Sequence, residues 1–143
     1  EAPRLVRGLK ARLAAFAAVA RRPDAAMIDY RLARKNAIEA IAALSDSAGR
    51  MSIEPMAARK GLEEMAHLLI AAHGLTAQLS AARLPVQTGA PGPDPAIRDW
   101  LQASLGPGAA EAGAPPAGPL AMAALAVAEA ALTYERVAKS GGE

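Results

Sequence analysis

Cysteine is absent from this 143-residue chain, which excludes a disulfide scaffold, thiolate nucleophiles and cysteine-ligated metal sites. Aromatic residues are scarce: Phe16, Tyr30, Trp100 and Tyr134 are the full set. A β-sandwich or barrel draws on aromatic and β-branched side chains, so this composition speaks against both. Long apolar runs are missing too. The uncharged helical stretches 13–20 and 120–128 fall well short of the roughly 20 residues that cross a bilayer. Charge is nearly balanced, at +2 net, which gives no argument for a nucleic-acid partner, and none is expected. What the chain has in quantity is alanine, 39 residues of it, the best helix former of the twenty. The opening Glu1-Ala2-Pro3 carries neither an initiator Met nor a signal-peptide layout, and reads as a piece cut from a longer protein.

Apolar spacing predicts helices over residues 3–21, 24–51, 55–84, 95–105 and 119–139. Pro3, Pro55 and Pro119 suit first helical turns, where a missing N–H costs nothing. Asp24 is the expected cap of the second helix, and Pro23, Pro85 and Gly141-Gly142 are expected stops. The predicted inward stripes are Leu5, Leu9, Leu13, Phe16 and Ala20; then Met27, Arg34, Ala37, Ile38, Ile41, Leu44 and Ala48; then Leu62, Met65, Leu69, Ala72 and Leu79. The short helix turns Ile97, Trp100, Leu101 and Leu105 inward. The last carries Leu125, Ala128, Leu132 and Glu135 on one side, with Val127, Ala131 and Tyr134 beside them. Asp46 with Arg50, and Asp94 with Arg98, have i,i+4 ion-pair spacing. Pro/Gly-rich stretches at 85–94 and 106–118 read as loops. The expected architecture is one all-α domain, residues 1–143: an antiparallel bundle of four main helices plus one short helix, with no internal repeat.

Chemistry is thin. Glu64-Met65-Ala66-His67 has the Glu-x-x-His spacing of di-iron bundles, but those need a second copy and two further carboxylates. His67 and His73, six residues apart, point to different helix faces. His67 is expected half-exposed beside Glu63 and Glu64, and His73 packed or at a boundary. Ala72-His73-Gly74-Leu75 resembles the phosphoacceptor segment of histidine phosphotransfer bundles, yet Thr76 and Ala77 stand where the steadying Lys and following Gly would be. No Gly-x-Ser-x-Gly, no triad and no phosphate-cradling loop is present. No catalytic residue, metal site or cofactor is assigned, and the chain is not expected to be an enzyme. Arg31, Arg34, Lys35 and Arg50 form a candidate anion or ion-pair cluster, with a pair to Glu63 or Glu64 of the facing helix preferred over a ligand site. Arg4, Arg7, Lys10 and Arg12 give the first helix a candidate membrane-proximal basic face, equally consistent with an ordinary solvated face.

Two segments carry recognisable text. Tyr30-Arg31-Leu32-Ala33-Arg34-Lys35-Asn36-Ala37 leads into Arg50-Met51-Ser52-Ile53-Glu54-Pro55, and 62–84 follows with Leu68-Leu69-Ile70-Ala71-Ala72-His73 inside it. This text resembles the C-terminal cytoplasmic region of bacterial FUSC-type inner-membrane proteins, which include fusaric acid resistance proteins, aromatic carboxylic acid exporters and the YccS-like group. The resemblance covers about 55 residues, from 30 to 84, and none after Pro85. It implies a helical domain on the cytoplasmic face of the inner membrane. The partner it implies is the membrane-spanning part of the same polypeptide, absent from this sequence. It assigns no catalytic residue. A homo-oligomer and an anionic lipid surface are further candidate partners. Two other functions compete: a freestanding helical protein-interaction module, and a phosphotransfer-like or metal-binding bundle using His67 or His73. Direct binding of an aromatic acid near Arg31, Arg34 or Arg50 is a subsidiary expectation.

Overall fold

The computed structural model describes residues 1–20, 22, 26–56, 59–87, 95–106 and 113–140; of these, 82–87, 95, 96 and 98 are described by backbone alone. Five helices result: α1 (Ala2–Ala20), α2 (Met27–Ser52), α3 (Leu62–Gln87), α4 (Pro95–Leu105) and α5 (Pro119–Ser140). No strand occurs among the described residues. The fold is an all-α bundle, as alanine content and helical spacing lead one to expect. Three contacts set the directions. Arg50 of α2 meets Glu1 at the start of α1, Arg34 of α2 meets Ser80 of α3, and Tyr134 of α5 lies over Gly61 before α3. The long helices therefore run up, down, up, down. α1 packs on α2, α2 on α3 and α3 on α5, while α4 closes the gap between α5 and α1.

One continuous core takes residues from all five helices. Val6, Leu9, Leu13 and Phe16 come from α1, Met65, Leu68, Leu75 and Leu79 from α3, and Leu101 and Leu105 from α4. The α5 contribution is smaller-grained: Ala121, Ala124, Val127, Ala128, Ala131 and Tyr134. Two aromatic contacts tie neighbouring segments together. Phe16 and Tyr30 join α1 to α2, with ring centroids 5.6 Å apart and planes tilted by 57°. Trp100 Nε1–H donates to the Gly113 carbonyl at 3.4 Å, tying the segment before α5 to α4. Two buried hydroxyls are satisfied within their own helices, Thr76 on the Ala72 carbonyl and Ser104 on that of Leu101.

Several sequence expectations are corrected. α2 begins at Met27; its cap residue is Ala26, extended at φ −63°, ψ 145°, with no side-chain cap, and Asp24 lies outside the described residues. The inward face of α2 holds Ala37, Ile41, Leu44 and Ser47, while Met27, Arg34 and Ile38 are exposed. The buried arc is the one shared by the two flanking helices, and it leaves the arginine in water. Leu68 and Leu75 join the α3 face, with Leu62 and Leu69 only half-buried. On α5 the alanine side faces inward and Leu132 is exposed, because small side chains let the axes approach. Pro119 does open α5, with the Met122 N–H on the Gly118 carbonyl.

The largest correction concerns Pro55. Helix α3 does not start there. The reversal falls between Ile53 and Gly61, and among its described residues Arg59 Nε–H donates to the Glu54 carbonyl at 2.6 Å. Gly61 ends the reversal at φ +86°, a left-handed conformation that cannot belong to a helix. Helical bonding begins beyond it, with Met65 N–H on the Gly61 carbonyl, so Glu63 and Glu64 rather than Glu54 sit in the positive first turn. At its far end α3 continues past Pro85 to Gln87. A proline in a last turn forfeits one backbone hydrogen bond, too little to stop the helix earlier.

Gly61 is also crowded: a Cβ built there would lie 3.0 Å from Tyr134 Cε2. Gly61→Ala combines that contact with left-handed strain and should cost about 1–3 kcal/mol in urea unfolding. Burial pushes the Tyr134 phenol above its ordinary value of 10.0. A raised value in the fold stabilises below the unfolded-state value and is lost as pH climbs through the folded one. Stability should therefore fall above about pH 10, and Tyr134→Phe should flatten that alkaline limb.

Candidate functional site

The antiparallel pairing of α2 and α3 leaves an open groove of about 550 Å³ between them. Arg34, Ile38, Ile41, Ala42 and Ser45 line it from α2, and His73, Thr76, Ala77 and Ser80 from α3. Ile41 and Thr76 are buried at its floor, whereas Arg34, Ile38 and His73 stand at its rim. Arg34 Nε–H donates to Ser80 Oγ at 3.3 Å. This bond uses one of five guanidinium donors and fixes the fork, leaving the terminal nitrogens for an anion. The groove thus joins one cation to apolar walls. It fits a carboxylate or phosphate attached to a small apolar body, in the size range of ordinary ligand pockets.

The Ser80 hydroxyl accepts from a cation instead of facing a base. Among the described residues no three His, Asp or Glu side chains converge as metal ligands would. His73 is exposed, not packed, and His67 is exposed one and a half turns earlier. Glu63 is exposed and Glu64 half-buried in the first turn of α3.

The four candidate anion ligands are not brought together. Arg31 is exposed on α2; Lys35 pairs along its own helix with Glu39 at 3.5 Å, an exposed contact worth only tenths of a kcal/mol. Arg50 lies sixteen residues from Arg34, about 24 Å along the helix. There it holds Glu1 at 2.9 Å, not Asp46. The expected pair from Arg34 to Glu63 or Glu64 does not form, because the hairpin register sets residue 34 against residue 80. The two glutamates belong to the opposite end of α3, near the end of α2. The Asp94–Arg98 pair lies outside the described side chains.

The basic residues of α1 are likewise spread. Arg4, Arg7 and Arg12 are exposed and Lys10 half-buried. Arg12 turns into a second, smaller hollow of about 300 Å³ between α1 and α2, with Arg22, Asp29 and Leu32. Ser45, Thr76 and Ser80 were not singled out from the sequence. Their signal was the turn: a reversal centred near residue 57 would have placed Ser80 opposite Arg34.

No family model matches the chain, and no curated protein or solved structure shows significant similarity to it.

Arg34 is exposed and its one hydrogen bond is solvent-accessible, so it contributes little to folding. Arg34→Ala should change the unfolding free energy by less than about 1 kcal/mol. Denaturant titration checks this; a larger loss would show that the groove arginine is structural.

Proposed function

We propose that the chain is the cytosolic helical domain of a bacterial inner-membrane efflux transporter of the FUSC type. It serves assembly, regulation or gating of the membrane part and catalyses nothing itself. One observation carries this reading. The residues of the family-like text, 30–55 and 62–84, form a single structural unit, the α2–α3 hairpin, and two of them far apart in sequence, Arg34 and His73, line the same groove.

The physical role follows from shape. A domain outside the membrane biases transport only by packing differently in the two transporter states. Two helices of 26 residues each, about 39 Å long, make a stiff element able to carry such a bias. Exposed Arg4 and Arg7 near the start of α1 would lie close to anionic headgroups, each worth about 1 kcal/mol at the surface. No described helix is long and apolar enough to cross a membrane; on this reading the spans would lie in another part of the polypeptide.

A freestanding interaction module is the second reading, favoured by the exposed, uncharged outer side of α3. The parent open reading frame separates the two. The transporter reading expects several apolar segments of about 20 residues outside this chain, and fractionation of the full-length product with the inner membrane. A parent frame without such segments overturns it.

A further inference from the structure

The α2–α3 groove holds a positive charge that the protein does not compensate. Arg34 stands at one end, tied by the single bond from Nε–H to Ser80 Oγ. No Asp or Glu is among the described residues that line the groove. The facing helix carries none from residue 65 to residue 82. The two carboxylates nearest Arg34 along α2 are turned elsewhere. Asp29 lines the α1–α2 hollow with Arg12 and Arg22, and Glu39 is held by Lys35 at 3.5 Å. A guanidinium fixed by one bond and open at its terminal nitrogens offers a two-point fork to a planar anion. Because the fork is already oriented, less side-chain freedom is lost when an anion arrives.

Beyond Arg34 the groove is aliphatic. Ile38, Ile41, Ala42 and Ala77 supply its apolar surface, and no aromatic ring is among the described lining residues. From Arg34 to Ser45, α2 advances eleven residues, about 16 Å. From Ser80 to His73, α3 returns seven residues, about 10 Å. The hollow is therefore elongated along the hairpin, with the guanidinium at one end and Ser45 and His73 at the other. Midway, the buried Thr76 hydroxyl is spent on the Ala72 carbonyl, so the floor asks for no polar atom in the middle of a ligand.

We propose that this groove binds a straight-chain aliphatic monocarboxylate, with its carboxylate on the Arg34 fork and its chain laid over Ile38, Ala42 and Ala77 towards His73. Charge selects the head. A carboxylate carries the one negative charge that Arg34 balances, whereas a phosphate monoester brings most of a second charge. No other Lys or Arg is among the described lining residues to meet it. Shape selects the tail, since an elongated aliphatic hollow with no ring to stack on favours a linear chain over an aromatic one. The groove is open to water along one side, so the affinity is modest. The inference does not rest on the transporter reading: the isolated chain suffices to test it, and a parent frame without membrane spans would leave it standing.

Calorimetric titration of the 143-residue chain with sodium octanoate tests the site. Octanoate should bind once per chain, with a Kd of about 0.1–1 mM. Butyrate, which keeps the head and shortens the tail, and octanol, which keeps the tail and lacks the charge, should each bind at least about tenfold more weakly. Octyl phosphate should bind no more tightly than octanoate. Arg34→Gln should weaken octanoate at least about tenfold. Ala77→Phe and, on the other helix, Ala42→Phe fill the hollow from exposed positions and should each do the same, with helical circular dichroism unchanged. Arg136, exposed near the far end of α5, is the control: Arg136→Gln should leave the affinity within about twofold, because a remote surface charge is screened. In proton–nitrogen spectra the Arg34 Nε–H resonance should shift as octanoate saturates the chain. Absence of saturable binding up to about 10 mM, octanol or butyrate binding as well as octanoate, tighter binding of octyl phosphate, equal weakening by Arg34→Gln and Arg136→Gln, an unmoved Arg34 resonance, or undiminished binding by a folded groove-filling variant would each overturn the proposal.

Discussion

Close approach of helix axes, made possible by alanine, is the constraint on which the rest of the structure depends. With four aromatics in the chain, the core cannot be filled by large rings. It is filled by bringing backbones together until modest side chains touch. Ala17, Ala20, Ala37, Ala72, Ala121, Ala124 and Ala131 sit buried between helices, and the leucines of α1 and α3 occupy what volume remains. Dispersion between tightly packed small groups is weak atom by atom and large in sum. Geometry of this kind tolerates little enlargement, because an added methylene has no empty space to enter.

That constraint explains which parts of the fold were legible beforehand. Helix existence and type follow from alanine content and from strongly periodic leucines, and α1 and α4 turned their expected faces inward. The failures came where several apolar faces compete. α3 is apolar on both sides, so spacing could not say that Leu68 and Leu75 are buried while Ile70 is in water. On α5 the spacing offers two adjoining faces, one carrying Leu125 and Leu132 and the other Val127, Ala131 and Tyr134. Packing turns the second inward, a choice made by tertiary distance and invisible in one helix alone. Pro55 misled for a related reason. Proline suits a helix start in general, but here the left-handed glycine six residues later decides where helical bonding begins.

The candidate site was legible only in part. Arg34 and His73 were singled out, but as members of separate clusters. Their common groove depends on the register of two antiparallel helices, which the chain fixes through its turn and through a bond to Ser80. Arg50 looked like a companion of Arg34 because it is basic and on the same helix. Distance along that helix separates them, and a contact to Glu1 occupies it. Charge type is written in the sequence; which charges meet is written in the packing.

The contact between Tyr134 and Gly61 limits how the bundle can move. An aromatic edge resting on a bare backbone acts as a stop, since sliding α3 along α5 by one residue would carry a Cβ-bearing neighbour into the ring. Sliding of α3 along α5 therefore meets the ring first, and the end of the α2–α3 hairpin that holds Arg34 and Ser80, remote from Tyr134, is the end on which this stop does not bear.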